Sequence, residues 1–324
     1  MTKPITADAG ENLPTNWGRW GADDELGTLN FITDQVRARA VTQAVTGRTV
    51  SLAHPVRPVP MAAPIPFGVN PMPAGVLQMM NYTGSPARAL VDVLIVNSHH
   101  ASLTHIDAVA HVPVDDHVYP GTPLAQAVAA GSVVHGSTSA FASGVTTRGV
   151  LLDLAPGTRL AAGFDITGDD LSQAEERAGV RVESGDALVV RGGWAPLDAL
   201  AAPAPGMTLD AVRWMAEREV SMYVGDIGDR PPAQLGRGGP TAQPGESGGS
   251  GGSGESGESG ESGSFMALHQ VALPRLGLPL IDCPALEELA AASAELGRAT
   301  FLFVLAPMRV EGATGIPVNP LAVF

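Results

Sequence analysis

The stretch Thr104-His105-Ile106-Asp107-Ala108-Val109-Ala110-His111 places two imidazoles and a carboxylate within eight residues. On an extended backbone, residues two apart point to the same side, so His105 and Asp107 can bind one ion together. If the chain then turns helical, His111 lies one turn after Asp107 and reaches the same space. Imidazole with carboxylate suits zinc, manganese or iron rather than calcium. The pattern predicts a strand end that carries a divalent-metal site.

Two more histidines, His99 and His100, precede this stretch, so four of the eight histidines lie within 13 residues. The alternative is that they are ordinary polar residues at a strand end, satisfied by backbone groups. Burying several imidazoles and a carboxylate together costs free energy unless a specific interaction offsets it. The cluster therefore favours a chemical role.

Outside the cluster, short apolar runs alternate with helical patterns, which predicts a mixed α/β fold. No G-x-G-x-x-G follows a strand, so a Rossmann fold is not indicated. The runs expected to form buried strands are Val91–Val96, Gly149–Leu154, Ala187–Arg191, Ser221–Val224 and Thr300–Leu305.

Capping residues mark the expected helices. Thr167 opens a capping-box pattern before Leu171–Ala178, and Thr208 can cap a second helix. Pro284 suits the first position of a third helix, which is expected to end at Gly297.

The composition fits one globular domain over residues 1–324, since 44% of the residues are hydrophobic and 16% are charged. Two segments differ from the rest. Pro55–Pro86 is rich in Pro, Met and Gly and is expected to be a packed loop. Residues 245–264 contain only Gly, Ser and Glu, which predicts a flexible tract, whether native or an engineered replacement for a loop.

The formal net charge is −14, and no Lys/Arg cluster is present. Such a surface repels phosphate backbones, so we expect no nucleic-acid partner. No apolar run approaches the ~18–20 residues of a membrane span, which predicts no membrane insertion. Cys283 is the single cysteine, and the N-terminus lacks the apolar core of a signal peptide. A cytoplasmic location is expected.

The motif T-H-x-D-x-x-x-H, matched by Thr104, His105, Asp107 and His111, resembles the core of the cyclase-family signature H-x-G-T-H-x-D-x-x-x-H. This family includes the bacterial kynurenine formamidase (arylformamidase)-like metal-dependent hydrolases. Apart from Pro60–Pro86 and Leu235–Ser264, nearly the whole chain is similar to the longer members. The other matching stretches are Asn16–Gly21, Asp24–Asn30, Arg148–Asp153, Gly185–Arg191 with Trp194, and Pro317–Pro320.

The resemblance implies roles for the matched residues. His105 and Asp107 become ligands of a divalent metal, zinc or manganese, and His111 becomes the catalytic acid/base. His269 and Asp282 fit the downstream histidine and acidic residue of the metal site. The alternative for His269 is a residue on a helix surface.

The aromatic pair Trp17 and Trp20 resembles residues that line the family's substrate entrance. The alternative is that the two rings anchor the N-terminal arm.

One position departs from the family pattern. Ala101 stands where the first histidine ligand is expected, and Leu103 replaces the glycine. Either a local bulge brings His100 into the metal site, or one ligand is lost.

The resemblance implies an open fold with mixed β-sheets and flanking helices, assembled as a homodimer or homotetramer. The implied reaction is metal-assisted hydrolysis of an amide or ester, possibly cyclic, in a small-molecule substrate. Two alternatives remain: a metal-independent cyclase or dehydratase in a biosynthetic pathway, and a non-catalytic small-molecule binding protein on the same scaffold.

Overall fold

The computed structural model describes residues 13–60, 74–196, 198, 202–229 and 266–324. The tract 245–264 lies outside these residues. The strands are β1 (Thr49–Ser51), β2 (Val59–Pro60), β3 (Val76–Thr83), β4 (Ala89–Val96), β5 (His105–Asp107), β6 (His117–Val118), β7 (Thr122–Pro123), β8 (Val128–Ala129), β9 (Ser132–Val133), β10 (Val145–Asp153), β11 (Asp165–Ile166), β12 (Ala187–Arg191), β13 (Gly206–Met207), β14 (Met222–Gly225), β15 (Leu280–Asp282), β16 (Thr300–Leu305), β17 (Gly315–Pro317) and β18 (Leu321–Val323).

The α-helices are α1 (Asp34–Val41), α2 (Leu124–Ala127), α3 (Gly168–Ala178), α4 (Leu209–Glu217) and α5 (Glu287–Leu296). Short 3₁₀ helices span Gly27–Phe31 and Thr138–Phe141, and a π-helix spans Leu268–Leu276. No helix within the described ranges has the length and apolar character needed to cross a membrane.

A nine-stranded mixed sheet forms the centre of the fold, in the order β1-β18-β16-β10-β12-β14-β15-β5-β17. Strands β10, β12, β14 and β15 run parallel. The flanking strands on both sides pair antiparallel. Helices α3 and α4 lie in the connections between successive parallel strands, which need such crossovers. The predicted α/β class with a mixed sheet and flanking helices is confirmed.

The central strands separate two hydrophobic cores. Val150 and Leu152 of β10 face one core, whereas Leu151 between them faces the other. In β12, Leu188 and Val189 divide in the same way. Successive side chains of a strand point to opposite faces, so a continuous apolar run is buried on both sides.

Most predicted strands are confirmed. Strands β12 and β16 have the predicted bounds, β10 begins four residues earlier than expected, and β14 begins one residue later. The prediction for Val91–Val96 was wrong in one respect: these residues form most of β4, but they are exposed. They belong to a separate sheet of β2, β3 and β4, beside the central sheet. For Pro55–Pro86, residues 61–73 lie outside the described residues, and the packed loop expected for the remainder is corrected, since β3 lies within it.

Helix starts follow the predicted caps in two of three places. Thr167 and Asp170 form a reciprocal capping box at α3, and Thr208 accepts from the backbone N–H of Ala211 at α4. Helix α5 ends at Gly297 as predicted, but it begins at Glu287, so Pro284 is not its first residue. Pro284 instead forms an isolated β-bridge with Ala53, which holds the backbone extended before the helix.

The pairing of β10 with β16 depends on a glycine. Gly149 lies opposite Phe301, and a Cβ at Gly149 would overlap the buried Phe301 ring. Gly149→Ala is therefore expected to lower the free energy of unfolding by about 1–3 kcal/mol, as overpacking of a core does. Urea denaturation measures this loss. Gly228→Ala is the matched control because no atom lies within 4 Å of its added Cβ; equal losses in both variants would contradict the expectation.

Candidate metal centre

Strand β5 carries the two residues at the centre of the site. It lies between β15 and β17, and this pairing buries both His105 and Asp107. The Nε2 atom of His105 lies 3.6 Å from Oδ1 of Asp107. The other ring nitrogen, Nδ1, donates a hydrogen bond of 2.8 Å to the carbonyl of Leu103, which orients Nε2 towards Asp107. The extended geometry expected for this pair is confirmed.

The structure brings His99, rather than His100, to this pair. Nδ1 of His99 lies 2.9 Å from Oδ1 of Asp107, and Nε2 is held 3.0 Å from the hydroxyl of Thr314. The side chain of His100 instead accepts from the backbone N–H of Ser102 and contacts the Ser102 hydroxyl at 2.8 Å. The expected bulge that would insert His100 is thus corrected. In the turn after β4, the ring of His100 contacts the backbone and hydroxyl of Ser102. The ring of His99, one residue earlier, faces Asp107 instead.

His111 approaches from the turn that follows β5. This turn is not helical, but a backbone hydrogen bond from His111 to Ala108 folds the chain back. Nε2 of His111 lies 3.9 Å from Oδ2 of Asp107. The imidazole stacks on that of His99, with ring centroids 3.8 Å apart and planes 8° apart. His111 and His99 keep about a quarter of their side-chain surface exposed, whereas His105 is buried.

His269 enters from the first turn of the π-helix Leu268–Leu276. Nε2 of His269 lies 3.3 Å from Oδ2 of Asp107, while Nδ1 lies 2.9 Å from Oδ2 of Asp229. Asp229 also accepts hydrogen bonds from the backbone N–H groups of Leu268 and His269. The carboxylate therefore fixes both the start of the helix and the orientation of the ring. His269 belongs to the cluster and is not a residue of a helix surface.

Asp282, at the end of β15, lies at the margin of the cluster. One carboxylate oxygen is 3.5 Å from Nε2 of His269, and the other is buried without a hydrogen-bond partner. Cys283 follows Asp282 in the chain. Burial, together with the charges of Asp282 and Asp107, raises the pKa of its thiol to about 12, so the thiolate is scarce.

Electrostatics around Asp107 favour a cation. Burial raises the pKa of the Asp107 carboxyl, but the surrounding imidazoles, His269 foremost, outweigh burial and hold it well below its usual range. Burial lowers the pKa of His269, yet the carboxylates of Asp107, Asp229 and Asp282 raise it to about 12. His111 is different because burial dominates and lowers its pKa to about 4, leaving a neutral imidazole at neutral pH.

The donor set fits a divalent metal. Asp107 is fully buried, yet neither carboxylate oxygen makes a hydrogen bond of acceptable geometry, although four imidazole nitrogens lie within 4 Å. A buried carboxylate without partners is costly unless it binds a cation. Two groups of atoms have the spacing of metal ligands and share Asp107: His99 with His105, and His111 with His269.

The predicted entrance residues Trp17 and Trp20 contact other parts of the chain. The indole of Trp17 donates a 2.8 Å hydrogen bond to the carbonyl of Pro274. Trp20 packs edge-to-face on Phe31, with centroids 5.0 Å apart. These contacts are those of an anchor for the N-terminal arm, and a role in substrate binding stays a prediction.

Sequence reasoning missed two residues of the site, His99 and Asp229. His99 is one residue closer to β4 than His100, the ligand expected from the sequence. Spacing alone does not show which of the two rings faces Asp107. Asp229 follows Gly228, and an aspartate beside a glycine is commonly a turn former, so its position in the sequence favours a turn over a site. The signal available was its place after β14, since groups that line sites often follow parallel strands. Asp226 nearby does serve the backbone: it accepts from the N–H groups of residues 192–194.

Comparisons with known proteins bear on this geometry. A crystal structure of a novel cyclase superposes with a TM-score of 0.75 and 26% sequence identity, covering 97% of this chain and all of that one. Isatin hydrolase A from Ralstonia solanacearum gives 0.53 at 20% identity, covering 85% of this chain and 91% of its own. An isatin hydrolase bound to the product analogue thioisatinate gives 0.54 at 16%, covering 89% and 95%. The two isatin hydrolases share the fold at these identities.

No curated protein matches the sequence. The family model described as Cyclase matches residues 50–229, which is more than half of the chain and includes β5, His99 and His111. The family match agrees with the fold, the mixed sheet and the motif around Asp107. The chain belongs to the cyclase family.

Proposed function

We propose that the chain is a metal-dependent hydrolase that cleaves an amide or ester bond, possibly cyclic, in a small organic substrate. The observation that carries the proposal is the Asp107 carboxylate, buried without hydrogen bonds where four imidazoles converge. Such an arrangement suits zinc or manganese. When bound, the ion supplies positive charge that polarises a carbonyl and lowers the pKa of a water molecule.

His99, His105 and Asp107 are the proposed ligands. Each ring has its outer nitrogen held by the chain, so the inner nitrogen is already oriented before an ion binds. His269 has the same support from Asp229 and lies on the other side of Asp107. With Asp282 beside it, His269 is the proposed ligand of a second ion or a further ligand of the first.

His111 is the proposed general base. Its low pKa keeps the imidazole neutral, so it can accept a proton from water and return it to the leaving nitrogen or oxygen. It is more exposed than His105 and therefore more accessible to a substrate. Stacking on His99 fixes the plane of the ring.

A cavity of about 140 Å³ beside the cluster supports a small substrate. Trp194, Pro205 and Ile227 contribute apolar walls, and Asp229 and Asp282 lie on the side of the cluster. A cavity of roughly 150 Å³ holds one benzene-sized ring. The likeness to isatin hydrolases supports a cyclic amide, because isatin is one. The single cysteine supports the cytoplasm as the location.

The histidine assignment predicts unequal effects of two neighbouring substitutions. His99→Ala is expected to weaken zinc binding strongly, by about 100-fold or more, because it removes a ligand. His100→Ala is the matched control and is expected to retain binding, since this ring contacts Ser102. Competition with a chromophoric chelator, backed by elemental analysis, measures both. Loss in His100→Ala with retention in His99→Ala would reverse the assignment.

Asp229 is expected to act through His269. Asp229→Asn keeps the shape of the side chain but removes the charge that orients the ring, which should weaken metal affinity about 10- to 100-fold. The same competition assay reports it. Asp226→Asn is the control because this carboxylate binds backbone N–H groups away from the histidines. An unchanged affinity in Asp229→Asn would exclude the positioning role.

His111→Ala should lower kcat for an activated lactone or amide by about 10²- to 10⁴-fold, the usual contribution of a general base. The amount of zinc bound by the remaining ligands should equal that of the parent. The near-ultraviolet circular dichroism should also be unchanged. His117→Ala, six residues further on, is expected to keep full turnover. Activity that survives chelation of all metal would instead favour metal-independent cyclisation, and binding without any turnover would favour a binding protein.

A further inference from the structure

The helix that carries His269 is of a kind that needs support from the rest of the chain. It has π geometry over nine residues, Leu268–Leu276, and Pro274 lies inside it. π-Helices are rare and mostly limited to single turns within α-helices. Proline removes one backbone donor, so this helix has fewer hydrogen bonds of its own. Contacts with other segments must therefore maintain its geometry.

The N-terminal arm, residues 13–31, binds the end of this helix that is farthest from His269. The last carbonyls of a helix have no partner within the helix, and a buried carbonyl without a partner is costly. Three consecutive carbonyls at this end each accept a hydrogen bond from the arm. The indole N–H of Trp17 donates to Pro274 at 2.8 Å, the backbone N–H of Asn16 to Arg275 at 2.9 Å, and the side-chain amide of Asn16 to Leu276 at 2.9 Å.

The arm also contacts Gly277, the residue that ends the helix. The backbone N–H of Thr28 donates a 2.9 Å hydrogen bond to the carbonyl of Gly277. A Cβ on Gly277 would lie 2.8 Å from the Cα of Gly27, so the two backbones touch where neither carries a side chain. The hydroxyl of Tyr119 donates a 2.9 Å hydrogen bond to Asp24, which fixes the same part of the arm. The end of the helix is thus bound on several sides.

The two ends of the helix are held by different segments. Asp229 accepts hydrogen bonds from the N–H groups at the start, and the arm donates to the carbonyls at the end. A π turn contains one residue more than an α turn. If the arm released the end, relaxation of one turn to α geometry would shift one end against the other by one residue, a rise of ~1.5 Å and a rotation of about 100°.

Such a shift is large on the scale of the metal centre. Nε2 of His269 lies 3.3 Å from Oδ2 of Asp107. Ligand groups must be held within about 0.5 Å of their working geometry. The arm is therefore placed to determine whether the ring reaches the metal, although it lies at the other end of the helix.

We propose that Asn16 and Trp17 are positioning residues of the metal centre, which act on His269 through the π-helix. The proposal rests on the proposed function in treating His269 as a metal ligand. It gives the indole of Trp17 a role that requires no contact with substrate. The ring of Trp17 also lies beside the guanidinium of Arg275, 5.7 Å from its centre, so the arm grips the helix through a side chain as well.

Zinc affinity in a double-mutant cycle tests the proposal. Asn16→Ala with Trp17→Phe removes two donors to the helix end but keeps an aromatic ring beside Arg275. Competition with a chromophoric chelator should show zinc binding weakened about 10- to 100-fold, the usual effect of losing a group that orients a ligand. In the His269→Ala protein the same two substitutions should have no further effect, because the ring they position is absent.

Thr167→Ala is the matched control for stability. It removes the N-cap of α3, which lowers the urea midpoint without touching the π-helix, and zinc affinity should be unchanged. Equal weakening in this control would show a general effect of stability and would overturn the proposal. Equal weakening in the His269→Ala background would do the same. Weaker substrate binding with unchanged zinc affinity would place Trp17 at the substrate entrance and would also refute it.

Hydrogen exchange in the metal-free protein separates this proposal from the proposed function. The amide N–H groups of Leu268 and His269 bond to Asp229, at the end of the helix away from the arm. In the Asn16→Ala/Trp17→Phe variant they should exchange about 10-fold faster than in Thr167→Ala. Equal exchange in the two variants would overturn the positioning role. A parent that binds no zinc, together with faster exchange in the variant, would overturn the proposed function and still support the action of the arm on His269.

Discussion

The burial of Asp107 is the constraint on which the arrangement of the site depends. The carboxylate lies on a three-residue strand between two antiparallel neighbours, with no exposed surface and no hydrogen bond to its oxygens. A negative charge in such a place requires compensation. Four imidazoles supply it from different parts of the chain, and each faces Asp107 with one ring nitrogen.

The fold places these imidazoles by different means. His105 lies on the same face of β5 as Asp107, and its orientation follows from strand geometry and the bond to Leu103. His269 comes from a π-helix whose start is fixed by Asp229, a residue that follows β14. Since β14 and β15 are adjacent parallel strands, their carboxyl ends deliver Asp229 and Asp282 to the same edge. The mixed sheet thus assembles the site from segments more than 150 residues apart.

The same sheet connects the site to the outer surface. β17 closes the sheet next to β5, and its residues form part of a groove beneath the exposed hairpin of β3 and β4. Strand β17 therefore both supports the strand of the ligands and lines the groove.

The sequence by itself determined the α/β class, most central strands, the caps of α3 and α4, and the grouping of His105, Asp107 and His111. These features depend on local spacing, alternation and capping, which neighbouring residues fix. The tertiary structure alone decided that His99 rather than His100 faces Asp107, that Asp229 orients His269, and that β4 is exposed. Each of these depends on contacts between distant segments: side-chain direction after a turn, the partner of a carboxylate, and the element that covers an apolar strand. No local pattern contains that information, because burial is a property of the packed chain.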